Sequence, residues 1–227
     1  FIALYFALSS LDFLKPYAKT ITDVFFVFAV IWITTVVQKL LSLFTKLEDY
    51  QVGLYKKFSS EDWQWFEDRL TYSNSKLPAS LYQAYGLTER QKYLKTAEAA
   101  LNFLAKTSFE NGHYSPIWQN GWVVRHKKRA YFDQQPEDTA SMVETKILAF
   151  GITKNSKHLK DAYTAFQWFL GKNHLNQMVY DESTGGCFDG VGRYALNLNQ
   201  GAESTLSYLL ARLAFEDQGV KKAIAAL

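Results

Sequence analysis

The sequence predicts an all-α fold built of repeated helical hairpins, which are joined by long loops and preceded by an apolar helical segment. Apolar residues recur at helical spacing in several stretches between residues 78 and 215. Only four prolines occur in 227 residues, which disfavours a loop-rich β architecture. The apolar fraction of 48% is enough for a sizeable core and excludes disorder as the main content.

The N-terminal stretch is the most apolar part of the chain. Residues 24–37 carry no charge, and Asp23 and Lys39 bracket them. A membrane span needs about 20 apolar residues, a length that is reached only by continuing to Phe44. Residues 24–44 therefore predict a membrane-spanning or membrane-lying helix. A helix buried between other helices, or a piece foreign to the rest of the chain, fits the all-round apolar pattern equally well.

A domain boundary is expected near residues 57–60. Residues 40–58 become amphipathic, and the composition changes again at Ser59 and Ser60, which are residue types that cap helices. The prediction is an apolar helical segment over residues 1–57 and a second domain over residues 58–227.

The second domain repeats one form: helix, short turn, helix, long loop. The predicted helices cover residues 78–86, 88–107, 136–151, 155–171 and 202–213. Three of them are expected to end at a glycine: Gly86, Gly151 and Gly171. The buried face of the last helix is expected to consist of Ala202, Leu206, Leu209 and Leu213. Loops 108–134 and 172–198 each join one hairpin to the next, so both emerge at one end of the array, together with segment 61–77. Strands are expected only as short pieces in these two loops.

This shared end is rich in aromatic, amide and carboxyl side chains, which suit a sugar site. Sugar rings stack on aromatic faces, and their hydroxyls bond to amides and carboxylates; two carboxylates can also act as acid and base on a glycosidic bond. Trp63, Trp65 and Trp122 are expected to stack on sugar. The acidic candidates are Asp133 with Glu137 or Asp138, and Glu203, Glu67, Asp181 and Asp189. Each acid alone could equally be a helix cap.

Several other classes of function are disfavoured. The net charge of +3 is too mild for a dedicated nucleic-acid binder. The single cysteine, Cys187, excludes an intrachain disulfide and favours a reducing compartment, the cytoplasm; it is either a small buried residue or a nucleophile. The four histidines lack metal-ligand spacing, and the phosphate-loop and dinucleotide-binding fingerprints are absent. No metal or cofactor is expected.

Five strings in order resemble a bacterial carbohydrate-active family: WQWFEDRLTYSNSKLP, FDQQPEDTA, FQWFLGKN, YDESTGGCFDG and NQGAESTLSYLLA. The family is an (α/α) toroid of the six-hairpin glycosidase-like type, often attached to glycosyltransferases. The resemblance runs from about Trp63 to Ala214 and does not cover residues 1–57. A closed ring needs twelve helices and about five fall in the matching stretch, so it implies an incomplete (α/α) toroid.

The resemblance also implies site residues. The positions carried over are Glu67, Asn74, Asp133, Gln134, Gln135, Glu137, Asp189, Asn199 and Glu203. Asp133, Glu203 and Asp189 are the expected catalytic residues and are expected to share one pocket. The others, together with Trp122, are expected to bind substrate. Where a small residue is expected after Ile117, the chain has Trp118.

Three functions follow from these observations. The leading one is a carbohydrate-active domain, an enzyme of glycan synthesis or turnover. The second is a non-catalytic glycan-binding or scaffolding module beside a glycosyltransferase domain or the missing toroid half. The third is a helical protein anchored to the membrane by its N-terminal segment.

Overall fold

The computed structural model describes residues 2–117 and 121–225 and divides the chain into two compact units, Phe1–Asp49 and Tyr50–Leu227. The expected boundary at residues 57–60 falls at the C-terminal end of helix α2 (Ala18–Phe58), which starts in the first unit and ends in the second. The extent of the apolar domain, residues 1–57, stays a prediction.

The N-terminal unit contains α1 (Ile2–Ser9), a 3₁₀ turn (Lys15–Tyr17) and the first part of α2. Side chains along the apolar stretch of α2 are exposed, among them Phe25 and Trp32. Within the described residues, one helix, Lys15–Phe58, is long and apolar enough to cross a membrane by length and composition.

The second unit confirms the all-α fold of helical hairpins. Its helices are α3 (Lys76–Thr88), α4 (Gln91–Ser108), α5 (Pro136–Thr153), α6 (Ser156–Phe166), α7 (Ala202–Ala214) and α8 (Gln218–Ala225). Helices α3 and α5 pack against α4 and α6 respectively, and α3, α5 and α7 contact one another in series. The first helices of successive hairpins thus form an inner row, and the described part of the chain is an incomplete, toroid-like array.

Three short antiparallel strand pairs lie in the loops. β1 (Arg69–Leu70) pairs with β4 (Val123–Val124), β2 (Phe109–Glu110) with β3 (His113–Tyr114), and β5 (Gly190–Val191) with β6 (Leu196–Asn197). The expectation that strands occur only in loops 108–134 and 172–198 is wrong for β1. It lies in segment 61–77, and its pairing with β4 joins that segment to the first long loop.

All three predicted helix stops are also wrong. Helices α3 and α5 pass Gly86 and Gly151 and end two residues later, because Glu89 and Lys154 adopt left-handed conformations (φ 55° and 58°) and close the last turns. Helix α6 ends at Phe166, before the predicted stop at Gly171. The predicted cap at Asn155 is confirmed, since its Oδ1 accepts the Lys157 N–H at 3.0 Å.

The buried face of α7 differs from the predicted leucine stripe. Leu206, Leu209 and Leu213 are 57%, 41% and 61% exposed. The residues that α7 buries are instead Ser204, Ser207, Tyr208 and Ala211. Small side chains let the backbone approach its neighbour closely, and the Tyr208 ring stacks on Tyr180 with 4.1 Å between centroids.

Candidate functional site

The three inner helices begin at the same end of the second unit, and hydrogen bonds join their starts. The Tyr72 hydroxyl donates to Glu203 Oε1 at 2.9 Å. The neighbouring Ser73 donates twice: its N–H to Asp138 Oδ1 at 2.9 Å and its hydroxyl to Glu137 Oε1 at 2.7 Å. The segment before α3 therefore contacts the first turns of both α5 and α7. We call Glu137, Asp138 and Glu203 the acid cluster.

The local sequence explains why these acids stand at helix starts. Pro136 occupies the first turn of α5, and the extended Gln135 precedes it, so Glu137 and Asp138 follow directly in that turn. Glu203 lies in the first turn of α7, after the extended Gly201. The N-terminal ends of helices carry partial positive charge, which favours carboxylates there.

Burial perturbs two acids of the cluster. Burial, followed by the charges of Glu137 and Glu203, raises the pKa of Asp138 well above its usual value. Burial also raises the pKa of Glu137, although the Ser73 hydrogen bond and the charge of Lys76 oppose the shift. Since charged carboxyls lose hydration when buried, burial disfavours the charged form of both groups.

Two carboxyl oxygens of the cluster are left without partners. Glu137 Oε2 and Asp138 Oδ2 are both buried, and neither has a hydrogen bond to a described residue. A buried acceptor without a partner costs about 1–3 kcal/mol. These oxygens therefore keep unused acceptor capacity in the folded chain.

A second feature, the loop pocket, has a volume of about 270 Å³. It is lined by Asp133, Gln134, Gln135, Asp189, Gly190, Val191, Gly192, Ala195, Leu196 and Asn197. The segment at Gln134 pairs with Val191 through two backbone hydrogen bonds of 2.9 and 3.0 Å. Asp133 and Asp189 thus line one pocket, whereas Glu203 belongs to the acid cluster.

The two aspartates of the loop pocket differ in their surroundings. Asp189 Oδ1 accepts the Gly201 N–H at 2.8 Å and the Ser204 hydroxyl at 2.7 Å, so it holds the start of α7. A Cβ at Gly201 would lie 2.9 Å from this oxygen, which is why the contact requires glycine. Asp133 is exposed, with a left-handed backbone (φ 66°).

Gln134 and Asn74 are occupied by the fold. Gln134 is buried; its Oε1 accepts the Trp168 indole N–H at 2.7 Å, and its Nε2 donates to Ser115. Asn74 is also buried, and its side chain makes two hydrogen bonds with the backbone of Thr71. Both amides position the loops that carry the site.

The other predicted binding residues lie on the loops around it. Glu67 is half-buried, and its carbonyl accepts the Trp63 indole N–H at 2.7 Å. Asn199 is exposed, and its carbonyl accepts the Asp189 N–H at 2.8 Å. Gln135 lines the loop pocket. Trp122 is half-buried and has a left-handed backbone (φ 42°).

The expectation that Trp63 and Trp65 stack on sugar is wrong. They are 6% and 0% exposed, and Trp63 packs edge-on against Phe103 with 5.0 Å between ring centroids. Both rings belong to the hydrophobic core. Trp118 lies outside the described residues.

The sequence gives Asp138 only as an alternative partner of Asp133, places Tyr72 at the shared end without a role of its own, and does not single out Ser73. Tyr72 and Ser73 carry no motif of their own, although they stand in the WQWFEDRLTYSNSKLP string. The consecutive acids directly after Pro136 were the available signal, because a proline at a helix start fixes which residues form the first turn.

Two further predictions concern the thiol of Cys187 and the absence of a metal site. Cys187 is buried, and burial followed by the charge of Asp189 raises the pKa of its thiol to about 12. The thiol form is a poor nucleophile, which favours the small buried residue. Among the residues that the structure describes, no group of three or more His, Cys, Asp or Glu side chains could hold a metal ion.

Comparisons with known proteins give a likeness to solved structures. No family model matches the chain, and no curated protein matches it. A solved structure, a glycoside hydrolase family 76 (mannosidase) protein from Bacteroides thetaiotaomicron VPI-5482, is similar with 15% sequence identity and a TM-score of 0.46. The match covers 66% of this chain and 40% of that protein.

Proposed function

We propose that the second unit is a carbohydrate-active domain of glycan synthesis or turnover, which binds sugar at the acid cluster and the adjoining loops. The observation that carries the proposal is the pair of buried, unpartnered carboxyl oxygens on Glu137 and Asp138. Sugar hydroxyls are donors of the kind these oxygens lack. The resemblance of the five sequence strings to six-hairpin glycosidase-like domains supports the same class of ligand.

The reaction that this chemistry supports best is hydrolysis of a glycosidic bond. Glu137, with its raised pKa, donates a proton to the glycosidic oxygen as the bond to the anomeric carbon breaks. Glu203, which is exposed and held by the Tyr72 hydroxyl, accepts a proton from the water that attacks that carbon. The products are two sugars, each ending in a hydroxyl group.

The remaining predicted residues have supporting roles in this proposal. Asp133, Asp189, Gln135 and Asn199 contact the sugar from the side of the loop pocket, while Gln134, Asn74 and Glu67 hold the loops that carry it. Trp122 supplies an aromatic face. We place the unit in the reducing environment of the cytoplasm, because its one cysteine is a free thiol.

A second candidate function is non-catalytic glycan binding or scaffolding beside a glycosyltransferase domain. It is favoured by Asp189, whose Oδ1 is already engaged by the start of α7 and so serves the fold. The exposed leucines of α7 provide a surface for such a domain, or for the missing half of the toroid.

The two functions can be separated with Glu137→Gln and Glu203→Gln. The probes are a panel of p-nitrophenyl glycosides and α- and β-linked oligosaccharides, assayed for hydrolysis and, by calorimetry, for binding. Loss of a general acid or base lowers the rate by about 10²–10⁴-fold. Glu182→Gln, on an exposed loop, is the matched control and should keep full activity.

Each outcome points to one function. Turnover that falls in both variants and persists in the control supports hydrolysis. Binding without turnover in the wild type supports the scaffolding module. A wild type that neither binds nor hydrolyses any member of the panel argues against a carbohydrate-active domain, provided that circular dichroism shows the helices intact.

A further inference from the structure

The apolar stretch of α2, residues 24–44, exposes large side chains around its whole circumference. An α-helix turns by about 100° per residue, so the following exposed residues together cover every direction: Phe25, Val27, Phe28, Val30, Ile31 and Ile33. None of the most apolar 18-residue window is buried. A helix that docks on a soluble protein, or lies on a membrane surface, needs an apolar face and a polar face. Residues 24–33 have no polar face. In the last turns of the stretch, Thr35, Gln38, Lys39 and Ser42 lie on one side of the helix, among exposed Val and Leu side chains on the other.

The length of the stretch matches the hydrocarbon core of a bilayer. Twenty-one residues at 1.5 Å each give about 32 Å, against a core of about 30 Å. Asp23 and Lys46 bound the stretch, and Lys39 is the one charged residue within it. Lys39 lies five residues from Phe44, about 8 Å along the helix axis, so its long side chain can reach the interface.

The two threonines of the stretch are satisfied within the helix. The Thr34 hydroxyl donates to the Val30 carbonyl and the Thr35 hydroxyl to the Ile31 carbonyl, both at 2.8 Å. In hydrocarbon, polar groups must find partners inside the protein, and a continuous helix supplies them for the backbone. Thr34 and Thr35 therefore present no unsatisfied hydroxyl donor to lipid, and Gln38 and Ser42 are the other uncharged polar side chains of the stretch.

We propose that residues 24–44 of α2 cross a lipid bilayer as a single span. A bilayer covers every face of a helix at once, whereas a second copy of the chain or a soluble partner covers one stripe. The proposal concerns the N-terminal unit and does not depend on the function proposed for the second one.

The first test measures membrane partition of the full chain. Protein purified in mild detergent is reconstituted into phosphatidylcholine vesicles, washed with alkaline carbonate and floated on a density gradient. The wild type should float after the wash. Ile33→Asp, near the middle of the span, should lower partition by about a hundred-fold. Leu209→Asp, on the exposed face of α7, is the matched control and should float like the wild type.

The second test distinguishes crossing from lying on the surface. Ser10→Cys and Lys56→Cys place exposed thiols on either side of the stretch, and the native Cys187 is buried. In a chain that carries both thiols, an impermeant maleimide should attach to one thiol per chain in sealed vesicles and to both after detergent, whichever way the chain inserts. Chains that carry two labels or none in sealed vesicles, release by carbonate, or a detergent-free soluble dimer would each overturn the proposal.

Discussion

Replacing Asp138 by Asn should stabilise the folded chain at neutral and alkaline pH. Asp138 is 4% exposed, and only one of its carboxyl oxygens has a partner, the Ser73 N–H at 2.9 Å. Asn keeps an acceptor for that bond and removes the charge. Burial and the neighbouring carboxylates of Glu137 and Glu203 make that charge unfavourable in the folded state.

The direction in which stability changes with pH follows from the pKa of Asp138, which is higher in the folded state than the ordinary 3.8. The folded chain holds a proton that the unfolded chain has released, so the stability from Asp138 is complete below about pH 3.8 and is lost as pH rises through the folded pKa. The slope is up to about 1.4 kcal/mol per pH unit.

The expected gain at pH 8 comes from removing the buried charge and is about 1.4 kcal/mol for each pH unit by which the folded pKa exceeds the ordinary value. The dipole of α5 opposes it, because it stabilises a carboxylate in the first turn, but that effect is worth only about 0.3–1 kcal/mol. Near pH 4 the wild-type carboxyl is protonated in the folded state, so the two proteins should unfold with nearly equal free energies.

Urea unfolding at pH 4 and pH 8, followed by tryptophan fluorescence, measures the difference. Asp181→Asn is a control in which the change in unfolding free energy should have the opposite sign, because hydrogen bonds from Ser183 and Gln200 lower the pKa of Asp181 to about 2. This variant should lose stability at pH 8. If Asp138→Asn were instead less stable than the wild type by the same amount at both pH values, the buried charge of Asp138 would not destabilise the fold. That result would refute the prediction.

Two further predictions concern the core and a buried ion pair. Trp65→Ala should lower the unfolding free energy by about 3–5 kcal/mol in urea, whereas Trp122→Ala should cost clearly less and weaken glycan binding in calorimetry. Asp161→Asn should lower the unfolding free energy by up to about 3–5 kcal/mol, since it removes the carboxylate charge 2.8 Å from the fully buried Lys146. Lys146→Met should be nearly neutral in the same assay, because Asp161 keeps Lys157 at 2.8 Å.

The hairpins were predictable because their signals are local. Helical periodicity, the proline before Glu137 and the cap at Asn155 each act within a few residues. The shared end of the long loops followed from connectivity alone, and the backbone pairing of Gln134 with Val191, one residue from each long loop or its edge, bears this out.

The buried face of α7 and the fate of the tryptophans were not predictable in the same way. Leucines at helical spacing on α7 are exposed, while Ser204 and Ser207 are buried. Helical periodicity predicts that one face of a helix is apolar, but the packing of the neighbouring helix determines which face is buried. Similarly, a tryptophan in a loop can stack on a ligand or fill the core, and Trp65 fills the core because the chain around it folds back over α4.

The position of the acid cluster follows from the architecture. Each inner helix begins at the same end, so the partial positive charges of α5 and α7 lie where Glu137, Asp138 and Glu203 stand. These charges offset part of the repulsion among the acids, and Ser73 offsets more by donating two hydrogen bonds. The free-energy cost that remains is that of burying Glu137 Oε2 and Asp138 Oδ2 without hydrogen-bond partners. Filling them with the hydroxyl groups of a ligand would recover that cost, so a bound sugar should raise the stability of the second unit most at a pH where the acids are charged.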